Sequence, residues 1–555
     1  LITKWLKNMR SEVVSNSFSV NYAWGENLTW NELSHLGCKL TGYGRFSTLS
    51  KLVEQIGATP SLTVEQLGSI ISEQFGHFAG VVETEYFVCA FVDHVRSIPF
   101  FYSNNKNGLV LSNNARNLKD ACGLHKVNEN ALIEFRMAGY VTGGDTIYSG
   151  LHQLQAGELL YFDKKNHELT FNRYFIYKPK AGQIKSHHEY VEELESITTR
   201  VFERTIENAQ GAPIWVPLSG GLDSRLIVCQ LKKLGYDNLH TFSYGPAGNY
   251  EAKAAKIVAD VVGVPWQFVC SKPSRAKAYF NSSSRKKYWE FADGASSYPV
   301  MNEYESLHTL RENGQLTSDA IIINGQSGDF LSGGHIPIDL LVGACSANNL
   351  VQSIIKKHYS IWQKNEVNNN MPVIERKILD LLGIKESSEF TMEEIAAIYE
   401  QWEWQERQAK WVVNGQRLYD FMGFKWELPL WDGELTKFWA TVPLNQRLKQ
   451  SLFIDYLEDF NYEGLFKGYS SEARRWPHQL EFIMNVAYVL SKILKTNPDT
   501  FQKYASYWGH YADQYSLFGL KYFLQNIGKA TVPPQGRGAI ALGLTHWIKE
   551  NSPQD

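Results

Sequence analysis

Short apolar runs and helical stretches alternate through the middle of the chain. The helical stretches are residues 225–234 and 250–262, and each lies between two apolar runs. We interpret the runs as strands, at residues 214–218, 239–243, 265–269 and 320–323. Strands that alternate with helices predict a parallel, doubly wound sheet and therefore the α/β class. Ligands of such sheets collect at the carboxyl ends of the strands.

The turn after the first predicted strand is the hexapeptide SGGLDS, residues 219–224. Its glycines allow a tight turn, and the helix that follows directs unpaired N–H groups and its positive dipole end towards an anion. Asp223 would repel a phosphate unless a cation lay between them, and Mg²⁺ prefers oxygen ligands. A Gly-Gly turn can also simply close a β–α unit. Asp and Ser in register after a strand favour the phosphate site.

A second glycine-rich segment, residues 324–334, follows the strand at 320–323. Asp329 is the only carboxylate in that segment, and it could share a metal ion with Asp223 across the crevice of the sheet. The alternative is an Asp that stabilises a turn by bonding to its own backbone. Because both segments follow strands, we expect them at the same edge of the sheet.

Together the two segments resemble the asparagine synthetase family, whose members are N-type ATP pyrophosphatases related to β-lactam synthetases and lasso-peptide cyclases. The family's second loop reads GEGADELFGG, and residues 325–334 align with it without a gap. The resemblance implies Mg²⁺ ligands at Asp223 and Asp329. The ATP-binding residues that it implies are Ser219, Gly220, Gly221, Leu222, Asp223, Ser224, Phe242, Ser243 and Gly325.

One position departs from the family pattern. The second residue of that loop is Glu in the family, or Tyr in β-lactam synthetases, and it takes part in chemistry at the acceptor; here it is Gln326. Glutamine cannot act as a general base, so that role moves elsewhere or the nucleophile arrives deprotonated. The family also uses a lysine near the adenylate. Lys449 and Lys467 are the nearest candidates, with a solvated surface lysine as the alternative for each.

Residues 76–102 resemble the family's glutamine-hydrolysing domain, which implies a layered αββα fold of the Ntn-hydrolase kind. That hydrolase needs an N-terminal cysteine, whose thiolate attacks the amide. The chain begins with Leu1, its first cysteine is Cys38, and a start at Met9 would expose Arg10. We therefore expect no glutamine hydrolysis by this chain.

The expected organisation has two domains. Residues 1–175 form the glutaminase-like domain, residues 176–188 a linker containing Pro179 and Gly182, and residues 189–555 the synthetase domain with added helices. Residues 350–399 match no part of the family pattern, and we expect them to be helical and to cover the active site.

Composition narrows the function classes. The net charge is −3, which does not favour binding to nucleic acid. The basic run at 285–287 is either an anion contact or an ordinary solvated patch. Six cysteines without C-x-x-C spacing suggest neither a zinc site nor a disulfide scaffold, and we expect Cys229 to be packed in the core. The aromatic clusters at 402–404 and 504–511 are expected to be core as well.

The resemblance implies a ligase that uses MgATP to adenylate a carboxylate and forms an amide, releasing AMP and pyrophosphate. Its partners would be ATP, a small-molecule or peptide carboxylate, and an amine or ammonia; a homodimer is left open. The alternatives are a specialised relative that closes a β-lactam or lasso ring or amidates a sugar acid, and a scaffold that binds ATP without turnover. No apolar stretch reaches the roughly 18 residues of a membrane span, so the expected compartment is the cytoplasm.

Overall fold

Two antiparallel-rich sheets form the N-terminal half in a computed structural model that describes residues 11–13, 19–23, 30–59, 61–106, 108–361, 364–467, 478–494, 516–526 and 537–551. One sheet has the order β1-β2-β8-β7-β9 and the other the order β11-β10-β6-β5-β4-β3. The strands are β1 (Ser11–Val13), β2 (Ser19–Tyr22), β3 (Asn31–His35), β4 (Cys38–Tyr43), β5 (Ala79–Glu83), β6 (Phe87–Val92), β7 (Phe101–Asn105), β8 (Gly108–Ser112), β9 (His152–Gln153), β10 (Glu158–Asp163) and β11 (Leu169–Arg173).

Strand β6 is buried on both faces, and the alternation of its side chains shows why. Phe87, Cys89 and Phe91 pack in one apolar cluster with helix residues such as Leu52. The residues between them join a different cluster, which includes Leu109 of β8. The six-stranded sheet therefore has helices on one face and the second sheet on the other. The helices of this half are α1 (Phe46–Gly57), α2 (Val64–Ser72), α3 (Ala115–Cys122) and α4 (Glu129–Ala138).

The C-terminal half is built on a five-stranded, fully parallel sheet, which confirms the predicted sheet and the α/β class. Its order is β14-β13-β12-β15-β16, so the strand order reverses between β12 and β15. The edge strand β16 was not predicted. The strands are β12 (Ile214–Pro217), β13 (Leu239–Gly245), β14 (Trp266–Cys270), β15 (Ile321–Ile323) and β16 (Lys425–Glu427).

Helices cover this sheet and extend beyond it, and residues 350–399 are largely helical as predicted. The α-helices are α5 (His187–Ala209), α6 (Leu222–Lys233), α7 (Tyr250–Val262), α8 (Pro273–Phe280), α9 (Ser283–Ala292), α10 (Tyr304–Glu312), α11 (Gly328–Leu331), α12 (Ala347–His358), α13 (Lys364–Leu382), α14 (Met392–Trp402), α15 (Arg417–Met422), α16 (Gly433–Thr441), α17 (Leu444–Arg447), α18 (Ser451–Phe460), α19 (His478–Ile493), α20 (Leu520–Asn526) and α21 (Arg537–Asn551). The 3₁₀ turns are Ile338–Leu341, Val413–Gln416, Pro429–Trp431, Leu448–Gln450, Tyr462–Gly464 and Ser516–Phe518.

A π-helix, Glu403–Val412, continues directly from α14 and lies between the two halves. From it, Trp404 Nε1 donates to the carbonyl of His94 at 3.0 Å. Glu406 accepts from the backbone N–H of Gly143 at 2.9 Å, and Lys410 Nζ donates to the carbonyl of Gly143 at 2.5 Å. These buried contacts fasten the π-helix to the N-terminal half.

The segment predicted as a linker is packed against the C-terminal half. Tyr177 stacks on Trp404 with ring centroids 4.5 Å apart, and the backbone N–H of Gly182 donates to the carbonyl of Thr441 at 2.9 Å. Helix α5 begins at His187, where the side chain of Ser186 caps it in a capping box.

Several smaller predictions can be compared with the fold. Cys229, Trp402 and Trp404 are core residues, as expected, whereas residues 504–511 and 1–10 lie outside the described residues. The prediction of a solvated basic patch was wrong for Arg285, which is 1 % exposed and pairs with Glu550 at 2.6 Å. Stacking on the neighbouring aromatic rings allows that burial. Nowhere in the described ranges is a helix both long and apolar enough to cross a membrane.

Candidate functional site

Both glycine-rich loops lie where the order of the parallel sheet reverses. Strands β12 and β15 are direct neighbours, with Ile214 opposite Ile321, and each runs at its carboxyl end into one of the loops. After β12 the chain continues to β13 on one side of the sheet, and after β15 it continues to β16 on the other side. This divergence opens a crevice between the two loops. The predicted meeting of the loops is therefore a consequence of strand order.

The first loop is folded by its own serines. The backbone N–H of Ser219 donates to Ser224 Oγ at 3.1 Å, and the N–H of Gly221 donates to Ser219 Oγ at 3.1 Å. Gly221 is the N-cap residue of α6, and no side chain caps that helix start in the described part of the chain. The first turn of α6 therefore presents its amides and dipole towards the crevice, as an anion site requires.

The second loop touches the first so closely that only glycine fits at two positions. A Cβ atom on Gly325 would lie 2.7 Å from the backbone nitrogen of Ser224. A Cβ atom on Gly328 would lie 2.6 Å from Asp223 Oδ1. The backbone N–H of Asp329 then donates to Asp223 Oδ2 at 3.2 Å. The glycines thus bring the two predicted metal ligands to one place.

The pKa values of the Asp223 and Asp329 carboxyl groups are shifted in opposite directions. Burial, together with the negative charge of Asp329, raises the pKa of Asp223 to about 8. Burial also acts to raise the pKa of Asp329, but the adjacent His335 ring outweighs it and the net pKa is lowered. The ionised form of Asp223 is thus poorly compensated by the protein itself.

A buried relay behind Asp329 accounts for this asymmetry. His335 Nε2 lies 3.0 Å from Asp329 Oδ2, and its Nδ1 lies 2.5 Å from Glu403 Oε1. Glu403 is fully buried in the first turn of the π-helix and also pairs with Lys357 at 3.1 Å. Burial opposes the positive charge of His335, but Glu403 and Asp329 outweigh it and raise its pKa to about 9. His335 is therefore the cation that holds Asp329 ionised.

The residues present fit a magnesium ion. Mg²⁺ is typically bound by one or two carboxylates together with substrate phosphates rather than by a complete protein cage. Asp223 and Asp329 supply that number, and the described residues contain no group of three or more His, Cys, Asp or Glu side chains arranged for a metal. The uncompensated charge of Asp223 is what a divalent cation would neutralise.

A cavity of about 350 Å³ opens beside the two loops. Ser219, Gly221, Asp223, Ser243, Gly325 and Gln326 are among the predicted residues that line it. Glu303 and Tyr419 also line it, and the hydroxyl of Tyr419 donates to Glu303 Oε2 at 2.6 Å. Asn324, the first residue after β15, donates from Nδ2 to the Tyr419 oxygen at 3.0 Å.

Residues 200–335 match the family model of asparagine synthase. This segment belongs to the asparagine synthase family. It contains β12, β15 and both glycine-rich loops, and it ends at His335. A comparison with curated proteins found no match.

Two solved structures are similar to the chain at a low level. One is described as the structure of the allosteric regulatory enzyme of purine biosynthesis, and the other as glutamine phosphoribosylpyrophosphate (PRPP) amidotransferase from B. subtilis complexed with ADP and GMP. Each is 12 % identical and covers 54 % of this chain, at a TM-score of 0.17. The chain spans 57 % and 63 % of their respective lengths. These scores do not establish a shared fold.

Some of the residues predicted for the site do not line this cavity. Phe242 is completely buried beside Trp215 and does not line the cavity. Lys449 and Lys467 are exposed and do not line it either. Lys449 precedes Gln450, whose Nε2 donates to Ser332 Oγ at 2.7 Å near the end of the second loop.

The sequence analysis did not identify the residues that set the charge of the two aspartates and of the cavity from outside the two loops. Of these, His335 had a usable signal, because it directly follows the Gly-Gly pair that ends the second loop. Glu303, Glu403 and Tyr419 had none, since each comes from a segment without a recognisable motif. Gln326 lines the cavity and accepts a hydrogen bond from Gln416 Nε2 at 2.7 Å, and its predicted part in catalysis stays a prediction.

Proposed function

We propose that this chain is an ATP-dependent ligase that adenylates a carboxylate, transfers the acyl group to an amine, and releases AMP and pyrophosphate. The carrying observation is the crevice itself, in which an open helix start and Asp223 border one cavity at the reversal of strand order, with Asp329 held against Asp223. The asparagine synthase family match over residues 200–335 supports the same reaction class.

In this proposal the first loop binds the phosphates of ATP. The amides at the start of α6 and the hydroxyl groups of Ser219 and Ser224 would contact the β and γ phosphates, which leave as pyrophosphate. Mg²⁺ bound between Asp223 and Asp329 would neutralise charge that develops on the leaving pyrophosphate. His335 would keep Asp329 ionised and oriented throughout, because it holds the carboxylate at 3.0 Å.

A specialised relative is favoured over an enzyme that makes asparagine from aspartate. Three carboxylates line the cavity, those of Asp223, Glu251 and Glu303, and its described lining contains no Lys, Arg or His. Free aspartate carries an α-carboxylate, which needs a cationic partner in such a site. The lining instead suits a substrate with an amino group and no free carboxylate beyond the reacting one.

We further propose that the N-terminal half supports the site through the π-helix. One side of that helix supplies Glu403 to His335, and the other is fastened by Trp404 and Glu406 to the N-terminal half. Whether this half hydrolyses glutamine stays a prediction, since residues 1–10 lie outside the described residues.

The test is Asp223→Ala, assayed for AMP and pyrophosphate formed from MgATP. Candidate acids are supplied with ammonium, with glutamine, or with no nitrogen source, and aspartate is one of the acids. We expect turnover to fall by about 100-fold or more, because a transition-state charge loses its cation. Circular dichroism should be unchanged.

Asp237→Ala is the matched control, because Asp237 is 88 % exposed and pairs with Lys232 on the surface. Unimpaired pyrophosphate release by Asp223→Ala would rule out the assignment. Tight MgATP binding by the wild type with no AMP from any acid would instead favour the scaffold without turnover.

A further inference from the structure

Glu303 is a half-buried residue whose carboxylate lines the same cavity as the phosphate loop. It lies just before α10 and lines the cavity. Its Oε2 accepts the 2.6 Å hydrogen bond from Tyr419. No hydrogen bond to its Oε1 is found among the described residues. One oxygen is therefore held by the protein while the other is available to a molecule in the cavity.

The direction of the tyrosine hydroxyl is fixed by its other partner. Asn324 Nδ2 donates to the Tyr419 oxygen at 3.0 Å, and an amide nitrogen can only donate. The single O–H of Tyr419 must therefore point to Glu303. Asn324 directly follows β15, so the orientation of Glu303 is tied to the strand that carries the second loop.

The same network reaches the position that departs from the family pattern. Asn324 Nδ2 also lies 3.4 Å from Gln416 Oε1, and Gln416 Nε2 donates to Gln326 Oε1 at 2.7 Å. Gln326 is thus a neutral member of a series of hydrogen bonds that ends at Glu303. Within this series, the group able to take up a proton is the Glu303 carboxylate.

We propose that Glu303, oriented by Tyr419, binds the incoming amine and accepts the proton that its nitrogen loses on attacking the acyl-adenylate. This inference rests on the proposed ligase function. The nitrogen forms a bond to the acyl carbon, the bond between that carbon and the AMP oxygen breaks, and its electron pair leaves on AMP. The proton passes from the nitrogen to Glu303 Oε1 and then to solvent when the product leaves.

The charges around Glu303 suit this role. Burial raises its pKa to about 7, and the hydrogen bond from Tyr419 offsets part of that rise. The neighbouring charged or titratable groups are Tyr244 in β13, Glu251 on α7 and Tyr288 on α9, together with Arg417, whose charge acts on Tyr288. The causes that set the pKa of Glu303 itself are burial and the Tyr419 hydrogen bond. A base must be ionised to act, so the step should slow as the pH falls through about 7.

The variant that tests the inference is Glu303→Gln, and Glu312→Gln is its matched control. Glu312 lies at the other end of α10 and also accepts a hydrogen bond from a tyrosine, Tyr279, at 2.8 Å, but it is exposed and outside the cavity. Two steps are measured separately, with the acid that supports turnover. Adenylation is followed by exchange of pyrophosphate into ATP, and acyl transfer by amide formation.

We expect Glu303→Gln to keep exchange within about threefold and to lose amide formation by about 100-fold or more, while Glu312→Gln loses neither. Hydroxylamine, a neutral nucleophile at pH 7, should still trap the acyl group in Glu303→Gln. Unchanged amide formation would overturn the inference and leave the ligase assignment standing. Loss of exchange as well as amide formation would also overturn it, because Glu303 would then serve adenylation.

A binding measurement decides the inference even if no acid supports turnover. Calorimetry follows 1,4-diaminobutane binding in the presence of Mg²⁺ and α,β-methylene-ATP. We expect binding to weaken about tenfold or more in Glu303→Gln and not in Glu312→Gln. Equal binding by the wild type and Glu303→Gln would overturn the inference.

Tyr419→Phe separates orientation from chemistry. Loss of its hydroxyl removes the interaction that lowers the pKa of Glu303, so the acidic limb of the amide-forming rate should move to higher pH while exchange persists. A merely structural role for Tyr419 would lower the rate equally at every pH, and that result would contradict the proposed pairing.

Discussion

The two glycine-rich loops at the carboxyl edge of the parallel sheet use glycine for different reasons. In the second loop, a Cβ on Gly325 or Gly328 would lie 2.7 Å or 2.6 Å from atoms of the first loop. In the first loop, Gly221 lines the cavity, and the nearest atom to a Cβ on it would be Ser219 Oγ at 3.2 Å, the end of a side chain that can rotate away. The second loop therefore needs glycine to pack, whereas the first needs it for a molecule that approaches its backbone.

The carboxylates of the two loops differ in the same way. Asp329 has a cation built into the protein, His335, which lowers its pKa. At Asp223 the charge of His335 is the smallest of the causes, and burial with the nearby Asp329 raises its pKa to about 8. The fold itself thus compensates the charge of Asp329, whereas the charge of Asp223 is left for a bound cation to compensate. Each variant described next changes only one of the two loops or its partners.

The largest effect on stability is expected from His335→Ala. This change removes the cation between Asp329 and the fully buried Glu403, leaving Lys357 as the close cationic partner of Glu403. Breaking a buried pair from one side costs about 3 kcal/mol or more. Denaturant unfolding should show this loss, and MgATP turnover should fall because Asp329 is no longer held.

His187→Ala is the control, since His187 is exposed and pairs with Asp455 on the surface. It should change the free energy of unfolding by less than about 0.5 kcal/mol. If His335→Ala were as stable as this control, the buried relay would not organise Asp329.

An intermediate effect is expected from alanine at the glycines, and it should differ between the loops. Gly325→Ala forces the loops apart, at a cost of about 1–3 kcal/mol. Gly221→Ala should cost less free energy of unfolding, because the nearest atom to its Cβ is the movable Ser219 Oγ at 3.2 Å, but it should weaken MgATP binding because Gly221 lines the cavity. Thermal unfolding and nucleotide titration of both variants are the measurements. Equal destabilisation of the two would remove the distinction between the loops.

The sequence predicted what lies in contiguous motifs. Helix 250–262 was placed at its observed bounds, and both loops were placed at strand ends because β–α alternation dictates a parallel sheet. Which strands would be neighbours did not follow from the pattern, and it is the adjacency of β12 and β15 that brings Asp223 to Asp329. Strand order depends on long-range packing that local periodicity does not encode.

The residues that tune the site were not predictable for a related reason. His335, Glu403 and Lys357 act as a unit only because a π-helix turns Glu403 towards the second loop. A π-helix has no pattern in the sequence comparable to helical or strand periodicity. Glu303 and Tyr419 likewise meet across more than a hundred residues. Their roles follow from geometry alone.

The smallest effect is a pH-dependent change of stability at Asp223. Its pKa is about 8 in the folded chain and near 3.8 when unperturbed, so the folded state holds the proton more tightly. This contribution to stability is fully present at pH values below about 4 and is lost as the pH rises through about 8. In a metal-free buffer, Asp223→Asn should therefore match the wild type at pH 4.5 and exceed its stability at pH 8.5, on the order of 1 kcal/mol after solvent screening.

The surface variant Asp237→Asn should show no such crossover. Added Mg²⁺ should stabilise the wild type at pH 8.5 and have little effect on Asp223→Asn, because the cation then compensates a charge that the variant lacks. A wild type as stable as Asp223→Asn at pH 8.5 without Mg²⁺ would mean that the fold already compensates Asp223, and the contrast between the two loops would reduce to their glycines.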